Sequence, residues 1–221
     1  MLRTTTDRLT TRLREATAAA HDDAENSGFM SSLLTGELHV SAAADLAEQL
    51  WFIYGALEAA VRDIDGTPEG TAICDARLER REALEEDLEF LVGPRWRATI
   101  EALPATVAYV NRLTELGRAR NAPALVAHHY VRYLGDLSGG QIIARRLRDH
   151  YGIDGAGARF YDFADLGKIK PYRDDYRRRL DGLDLHGDVR DRVLAEAVLA
   201  FRMNTAVFRE LGARHRPTIV G

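Results

Sequence analysis

Residues 133–141 read YLGDLSGGQ and interrupt what is otherwise a long helical pattern. Three glycines within six residues disfavour a helix, because each costs about 1 kcal/mol relative to alanine. Gly135 and Gly139 are four residues apart, so a helix places both on one face, about 6 Å apart along its axis. Gly140 adds a point at which the helix can bend. The pattern fits either a close crossing of helices or a face on which the backbone approaches a flat ligand.

The composition is that of an ordinary globular protein. The chain has 221 residues, 46% hydrophobic and 29% charged, which is enough for one sizeable core. The net charge of -4 argues against a general nucleic-acid binder. Cys74 is the single cysteine, which excludes an intramolecular disulfide and a thiolate metal cluster and fits a reducing cytoplasm. We expect a cytoplasmic protein without signal peptide or membrane span, because no apolar stretch is long enough for either.

Helical periodicity extends over nearly the whole chain, and no run alternates as a strand would. Ser41 is the expected N-cap of a long second helix, and Gly152 is the expected stop of the helix that carries the glycines. The segment 154–167 is predicted to be a loop. The predicted helices lie near 9–21, 41–61, 76–91, 105–116, 123–150, 171–183 and 188–211. The sequence therefore predicts one all-α domain over residues 1–221, with its core at about 9–211.

Two segments carry a resemblance to a known family. HHYVRYLGDLSGGQIIARRL (128–147) resembles the distal helix of the heme oxygenases, and LREATAAAHDDAENSGFM (13–30) resembles their proximal helix. EALEEDLEFLVGPRW (82–96), YRRRL (176–180) and FRMNTAVF (201–208) extend the match in collinear order. The resemblance implies a single-domain helical bundle that holds heme b between a proximal helix and a kinked distal helix.

The resemblance also implies an iron ligand and a catalytic carboxylate. A neutral imidazole is a usual axial ligand of heme iron, and His21 matches the family's ligand among the seven histidines of the chain. Glu25, one turn later, is placed to accept a hydrogen bond from the imidazole N–H. Asp136 is expected to organise distal water for protonation of bound peroxide, with Gly135 and Gly139 pressing the bound oxygen toward one edge of the ring. Arg132 either extends this network or is a surface arginine.

Heme carries two propionates, which need cations or hydroxyls at the pocket edge. Arg14, Arg173, Arg177 and Tyr130 match family positions that contact them. The chain departs from the family at Ala18, where some members carry a second lysine, and it prefers arginine to lysine at the rim. The remaining heme contacts that the resemblance implies are Gly140, Phe201 and Asn204, of which Phe201 is equally well explained by core packing.

The implied reaction is the oxidative cleavage of heme to biliverdin IXα, carbon monoxide and ferrous iron with O2 and external electrons. Electrons must come from a partner, because no G-x-G-x-x-G follows a strand. A ferredoxin or other reductase is expected, and the chain is expected to be a monomer. Iron acquisition and pigment supply are both open as its biological role. The residues that could form a basic docking patch for such a donor are Arg145, Arg146, Arg148, Arg177, Arg178 and Arg179.

Three other classes of protein compete with this interpretation. A heme storage or transfer protein would use the same His21 pocket without chemistry, and it would not need Asp136 among intact glycines. A di-iron oxidase needs Glu-x-x-His pairs on its helices, which the chain lacks. A thiaminase-like hydrolase needs a nucleophile, and Cys74 lies outside both motifs.

Overall fold

The computed structural model describes residues 8–25 and 27–215, which form ten α-helices and no β-strand. The helices are α1 (Leu9–Glu25), α2 (Gly28–Leu34), α3 (Ser41–Asp63), α4 (Pro68–Ile73), α5 (Arg81–Leu91), α6 (Pro104–Arg118), α7 (Ala122–His129), α8 (Gly135–Tyr151), α9 (Ile169–Asp181) and α10 (Gly187–Arg214). This confirms the all-α prediction. The predicted domain 1–221 also includes residues 1–7, 26 and 216–221, which lie outside the described residues.

Several helix ends follow from local sequence signals. The Thr67 side chain accepts a hydrogen bond from the Gly70 N–H and is followed by Pro68, so α4 begins there. Gly152 ends α8 with φ of 68°, a left-handed conformation that glycine adopts without strain, as predicted. The expectation for Ser41 was wrong. It is the first helical residue rather than the cap, and its hydroxyl lies 3.0 Å from His39 Nδ1.

Short elements account for the other differences from the predicted pattern. Helices α2 and α4 were not expected, because six or seven residues are too few to establish a period. The helix predicted near 76–91 is divided into a 3₁₀ turn (Ala76–Leu78) and α5. The predicted loop 154–167 contains two further 3₁₀ turns, Arg159–Tyr161 and Ala164–Leu166.

The helix that carries the glycines is irregular before them rather than at them. Residues Tyr130–Leu134 form a π-helical turn between α7 and α8, and α8 then runs as an α-helix from Gly135 through Gly140 to Tyr151. The departure from regular α-helical hydrogen bonding is therefore a π turn that ends directly before Gly135. Such turns are rare and often occur at functional sites.

Helix α3 forms the centre of the core. It packs against α5, α6 and α7, while α10 packs against α1, α6 and α7. Ile53, Tyr54 and Leu57 of α3 are fully buried, and burying each aliphatic side chain of this kind contributes about 1.5–3 kcal/mol. Among the described residues, none of the helices combines the length and the apolar character needed to cross a membrane. Through the Tyr54 side chain, α3 also contacts Arg132 of the π turn and Asp136 of α8.

Glu48 on α3 should make the protein less stable as the pH rises. Burial and the nearby Asp45 raise the pKa of Glu48 from 4.5 to about 7, against an opposing effect of Arg214. Since folding favours the protonated form, this contribution to stability is present below about pH 4.5 and is lost as the pH rises to about 7. Urea unfolding at a series of pH values should show that the free energy of unfolding of Glu48→Gln increases relative to that of the unmodified protein between pH 4.5 and 7. Parallel curves for the two proteins would contradict the prediction.

Candidate active site

Two of the three glycines form an open face on α8, which we call the glycine face (Gly135 and Gly139). A Cβ added at either position would meet no atom within 4 Å. Gly140 is different, because it is buried and a Cβ there would lie 3.3 Å from Tyr161 Cδ1. The three glycines therefore have different effects on the structure. Gly140 permits close packing inside the protein, and the glycine face leaves backbone accessible from outside.

Asp136 lies in the first turn of α8 and is held by a hydrogen-bond network. The Tyr54 hydroxyl, from α3, donates to Asp136 Oδ2. Arg132 Nε donates to the Tyr54 hydroxyl over 3.2 Å, and Arg132 Nη1 donates to Asn204 Oδ1 over 2.7 Å. These four residues, which we call the distal network, join α3, the π turn, α8 and α10. They fix the carboxylate beside the glycine face.

Burial sets the electrostatics of this network. It raises the pKa of Asp136 above its ordinary value, while the Arg132 guanidinium and the Tyr54 hydroxyl act in the opposite direction. Burial also raises the pKa of Tyr54, so its phenol keeps its proton and acts as a donor. Arg132 is only 7% exposed and remains charged, which balances the nearby carboxylate. Asp136 can therefore accept a hydrogen bond or exchange a proton without a solvated environment.

The His21 side chain, on α1, is 48% exposed. Its Nε2 lies 3.5 Å from Glu25 Oε1, and its Nδ1 lies 3.8 Å from Asp22 Oδ1. The Phe201 ring meets the imidazole edge-on with centroids 5.7 Å apart. The predicted partner Glu25 is thus near the ring at ion-pair distance, and the imidazole is accessible to a ligand.

A group of cationic and phenolic side chains forms the rim between α1, the π turn and α9. Burial raises the pKa of Tyr130, and the charges of Arg177 and Arg14 oppose that rise. Arg173 Nη1 donates to Ser138 Oγ over 3.2 Å, one residue from Gly139. Among the described residues, the buried Arg173 Nε has no hydrogen-bond partner. A buried donor of this kind fits an anionic group that is not part of the protein.

The structure brings together most of the residues predicted for the site. Arg132, Asp136 and Asn204 share the distal network, and Arg132 is buried rather than on the surface. Tyr54 was expected only as part of an apolar helix face, so its hydrogen bond to Asp136 was missed. The sequence feature that could have indicated this bond is a tyrosine among aliphatic residues, because a buried phenol needs a hydrogen-bond acceptor.

The fold and the site define an all-α protein with a half-exposed histidine on α1, an open glycine face on α8 and arginines on α1 and α9. The heme oxygenase family model matches residues 7–210. Heme oxygenase 1 of Nostoc sp. is 38% identical, over 92% of this chain and 85% of its own length. Human heme oxygenase 1 is 37% identical, over 92% and 71% respectively. The crystal structure of heme oxygenase-1 from Synechocystis sp. in complex with heme superposes with a TM-score of 0.89 at 35% identity, covering 94% of this chain and 93% of that one.

The chain belongs to the heme oxygenase family, whose members are oxidoreductases. This confirms the resemblance of the distal and proximal segments and the predicted fold class.

Proposed function

We propose that this protein cleaves heme oxidatively to biliverdin, carbon monoxide and ferrous iron. The observation that carries the proposal is a partly buried carboxylate, Asp136, fixed by Tyr54 and Arg132 beside the glycine face. Similarity to heme oxygenases over more than nine-tenths of the chain supports the same reaction. Heme is both substrate and cofactor, and its iron supplies the site at which O2 is activated.

The residues of the site fit heme in shape and charge. The glycine face offers backbone where a side chain would obstruct a flat ring. His21 would ligate the iron from α1, with Glu25 orienting the imidazole. Arg14, Tyr130 and Arg177 at the rim, together with Arg173, would hold the propionates, and the unpartnered Arg173 Nε supports this assignment.

The distal network would supply the proton chemistry. Asp136 would position a water on the glycine face and pass a proton through it, because direct contact with the ring is not needed for general acid catalysis through one water. Arg132 offsets the charge of that carboxylate, and Asn204 fixes the guanidinium in turn. Phe201 would pack against the proximal imidazole, as its ring contact with His21 indicates. Contact of the Gly140 backbone with heme stays a prediction, since its missing side chain makes room for Tyr161.

A heme storage protein is the second candidate, because it would use the same histidine and rim. The Tyr54–Asp136 hydrogen bond favours the enzyme, since even a partly buried carboxylate is costly to maintain and storage has no use for it. The optical assay separates the two. Purified protein is mixed with one equivalent of hemin and then given an electron source in air with catalase present. Loss of the Soret band with biliverdin absorbance and CO release supports the enzyme, and a stable Soret band supports storage.

Two alanine substitutions at neighbouring glycines should have different effects. Gly139→Ala should stabilise the folded protein by about 1 kcal/mol, because alanine is the better helix former and its methyl meets no atom within 4 Å. The same methyl should weaken hemin binding. Gly140→Ala should gain less stability, because its methyl presses on the buried Tyr161 ring. Thermal unfolding and hemin titration of both variants check this. Unchanged heme affinity in Gly139→Ala would contradict the assignment of the glycine face.

Electrons would come from a ferredoxin or another acidic reductase. The basic patch predicted for it needs one correction, because Arg179 faces inward and donates to the Ala72 carbonyl over 2.7 Å. Arg146 is the better candidate, since it is exposed and lies seven residues after Gly139, on the same helix face. A cytoplasmic location and a monomeric state also remain predictions.

Charge reversal at Arg146 should slow reduction by a protein donor. With reduced ferredoxin, we expect Arg146→Glu to lower kcat/KM by about tenfold at low ionic strength and by less at high salt. Turnover with ascorbate should be unchanged, because a small donor does not need the docking surface. Arg118→Glu on α6 is the matched control and should have no effect with either donor. Equal loss with ascorbate and ferredoxin would place Arg146 in heme binding instead.

A further inference from the structure

A run of aromatic rings leads from the distal network toward α9 and the protein surface. Ring centroids are 5.4 Å apart between Tyr54 and Tyr133, 4.3 Å between Tyr133 and His129, and 5.7 Å between His129 and Tyr176. The Arg179 guanidinium then bridges to Tyr172, lying 5.6 Å from the Tyr176 centroid and 5.9 Å from that of Tyr172. We call these four tyrosines and His129 the tyrosine ladder. All five are buried.

Every phenol of the ladder is hydrogen-bonded to a group that can take up a proton. The pairs are Tyr54 with Asp136, Tyr133 with Glu58 Oε1 (3.2 Å), Tyr176 with His129 Nδ1 (2.7 Å) and Tyr172 with Asp75 Oδ2 (2.8 Å). Buried phenols need acceptors in any protein, but a backbone carbonyl would be sufficient. Tyr151, outside the ladder, does donate to a carbonyl, that of Leu33. The ladder instead uses three carboxylates and an imidazole.

His129 is suited to this role because it is neutral. Burial, with the nearby Arg179 charge, lowers the pKa of His129 from 6.5 to about 3. We assign the Nε2–H tautomer, in which Nδ1 accepts the Tyr176 proton, since a phenol is the better donor and an imidazole nitrogen the better acceptor. The base partners matter because an oxidised phenol is a strong acid. A tyrosine therefore gives up an electron readily only where its proton can leave at the same time.

We propose that the tyrosine ladder carries oxidising equivalents from the heme pocket to the surface. When a strong oxidant forms on bound heme and does not open the ring, the ladder would reduce that oxidant before it damages the site. The inference goes beyond heme cleavage and rests on the proposed function only in requiring bound heme. The outer end suits such an exit, since Asp75 is paired with Arg77, whose side chain is 56% exposed.

The first transfer begins at the distal network. A peracid acting on bound heme serves as the oxidant, and it takes one electron from Tyr54 while the phenol proton moves to Asp136. Tyr133 then reduces the Tyr54 radical and gives its own proton to Glu58. Tyr54 recovers its proton from Asp136, so the inner pair returns to its starting state.

The same exchange repeats toward the surface. Tyr176 reduces the Tyr133 radical and its proton moves to His129 Nδ1. Tyr172 then reduces the Tyr176 radical and gives its proton to Asp75. Ascorbate, a one-electron donor in solution, reduces the Tyr172 radical, and the phenol recovers its proton from Asp75. Two such electrons, with two protons, convert one peracid to its carboxylic acid and water.

Trapping of the radical tests the ladder. The heme-loaded full chain is treated with peracetic acid and a nitroso spin trap, and peptide mapping locates the adduct, which we expect at Tyr172. Tyr176→Phe should abolish that adduct although Tyr172 is still present, because the ladder is broken behind it. Tyr109→Phe is the matched control. Tyr109 is fully buried and its hydroxyl lies 3.3 Å from His128 Nδ1, but its ring contacts His128 and not the ladder.

The remaining outcomes also decide the question. An adduct at Tyr172 that survives Tyr176→Phe, or the absence of any protein radical in the unmodified chain, overturns the proposal. If Tyr176→Phe does not fold or bind hemin, Tyr172→Phe is used in its place. Tyr172→Phe should slow the quenching of the protein radical by ascorbate, and unchanged quenching overturns the proposal. A chain that makes biliverdin but shows no Tyr172 radical refutes only the ladder. A chain that shows the radical but makes no biliverdin refutes only heme cleavage.

Discussion

Replacing Asp136 by alanine should suppress biliverdin formation by about 100-fold or more, since general acid catalysis contributes on that scale. Hemin should still bind, because neither His21 nor the cationic rim depends on this carboxylate. The substitution removes the acceptor of the Tyr54 hydroxyl and the counter-charge of Arg132, so the water that Asp136 would hold loses its anchor. Single-turnover conversion of bound heme, followed by biliverdin absorbance, measures the effect.

Two companion variants show whether the carboxylate itself is responsible. Tyr54→Phe keeps Asp136 but removes its hydrogen bond, so an intermediate loss of activity is expected. Asp149→Ala removes a half-exposed carboxylate from the same helix, one paired only loosely with Arg148 Nε at 3.6 Å, and should leave turnover unchanged. Normal biliverdin yield from Asp136→Ala would exclude the proposed role, and loss of hemin binding would show that the substitution acts through the fold.

The fold was predictable where a long helix imposes a period, and it was not predictable where contacts between distant segments decide the structure. The end of α8 at Gly152 follows from one residue's backbone preference. The π turn cannot be predicted in this way, because YVRYL is an ordinary helical sequence. Its wider turn depends on contacts with other helices. Arg132 in that turn reaches both Tyr54 and Asn204, which lie 78 and 72 residues away in sequence. No local pattern contains such a contact.

The candidate site was predicted from resemblance and not from composition or spacing alone. Gly135, Gly139 and Gly140 look alike in the sequence, yet only the first two face open space. Tyr54 was expected only on an apolar helix face, and Tyr133 and Tyr176 were noted only within the matching segments YLGDLSGGQ and YRRRL. Their hydroxyl partners come from other helices, so the chemistry becomes visible only after the helices pack.

Replacing His21 by alanine should remove the proposed iron ligand and stop heme cleavage, although the rim should still attract the propionates. Loss of an outer hydrogen-bonding partner of a metal ligand costs about 10–100-fold in affinity or activity, so loss of the ligand itself should cost at least about 100-fold. Glu25→Gln is the graded companion, because Glu25 Oε1 lies 3.5 Å from the imidazole and would orient it without touching iron. The variant should retain hemin binding with a smaller loss of turnover.

The optical and magnetic spectra of the hemin complex separate ligation from general damage. His21→Ala should shift the Soret band, and the magnetic spectrum should lose the features of a nitrogen ligand. Added imidazole should restore both spectra and part of the turnover, because removal of the 48% exposed side chain leaves an accessible gap. His39→Ala changes an exposed histidine outside the site and should leave both spectrum and turnover unchanged. An unaltered nitrogen-ligated spectrum in His21→Ala would assign the iron to a different histidine. His128 and His129 are poor substitutes, because both rings are buried and already bonded to Glu196 and Tyr176 respectively.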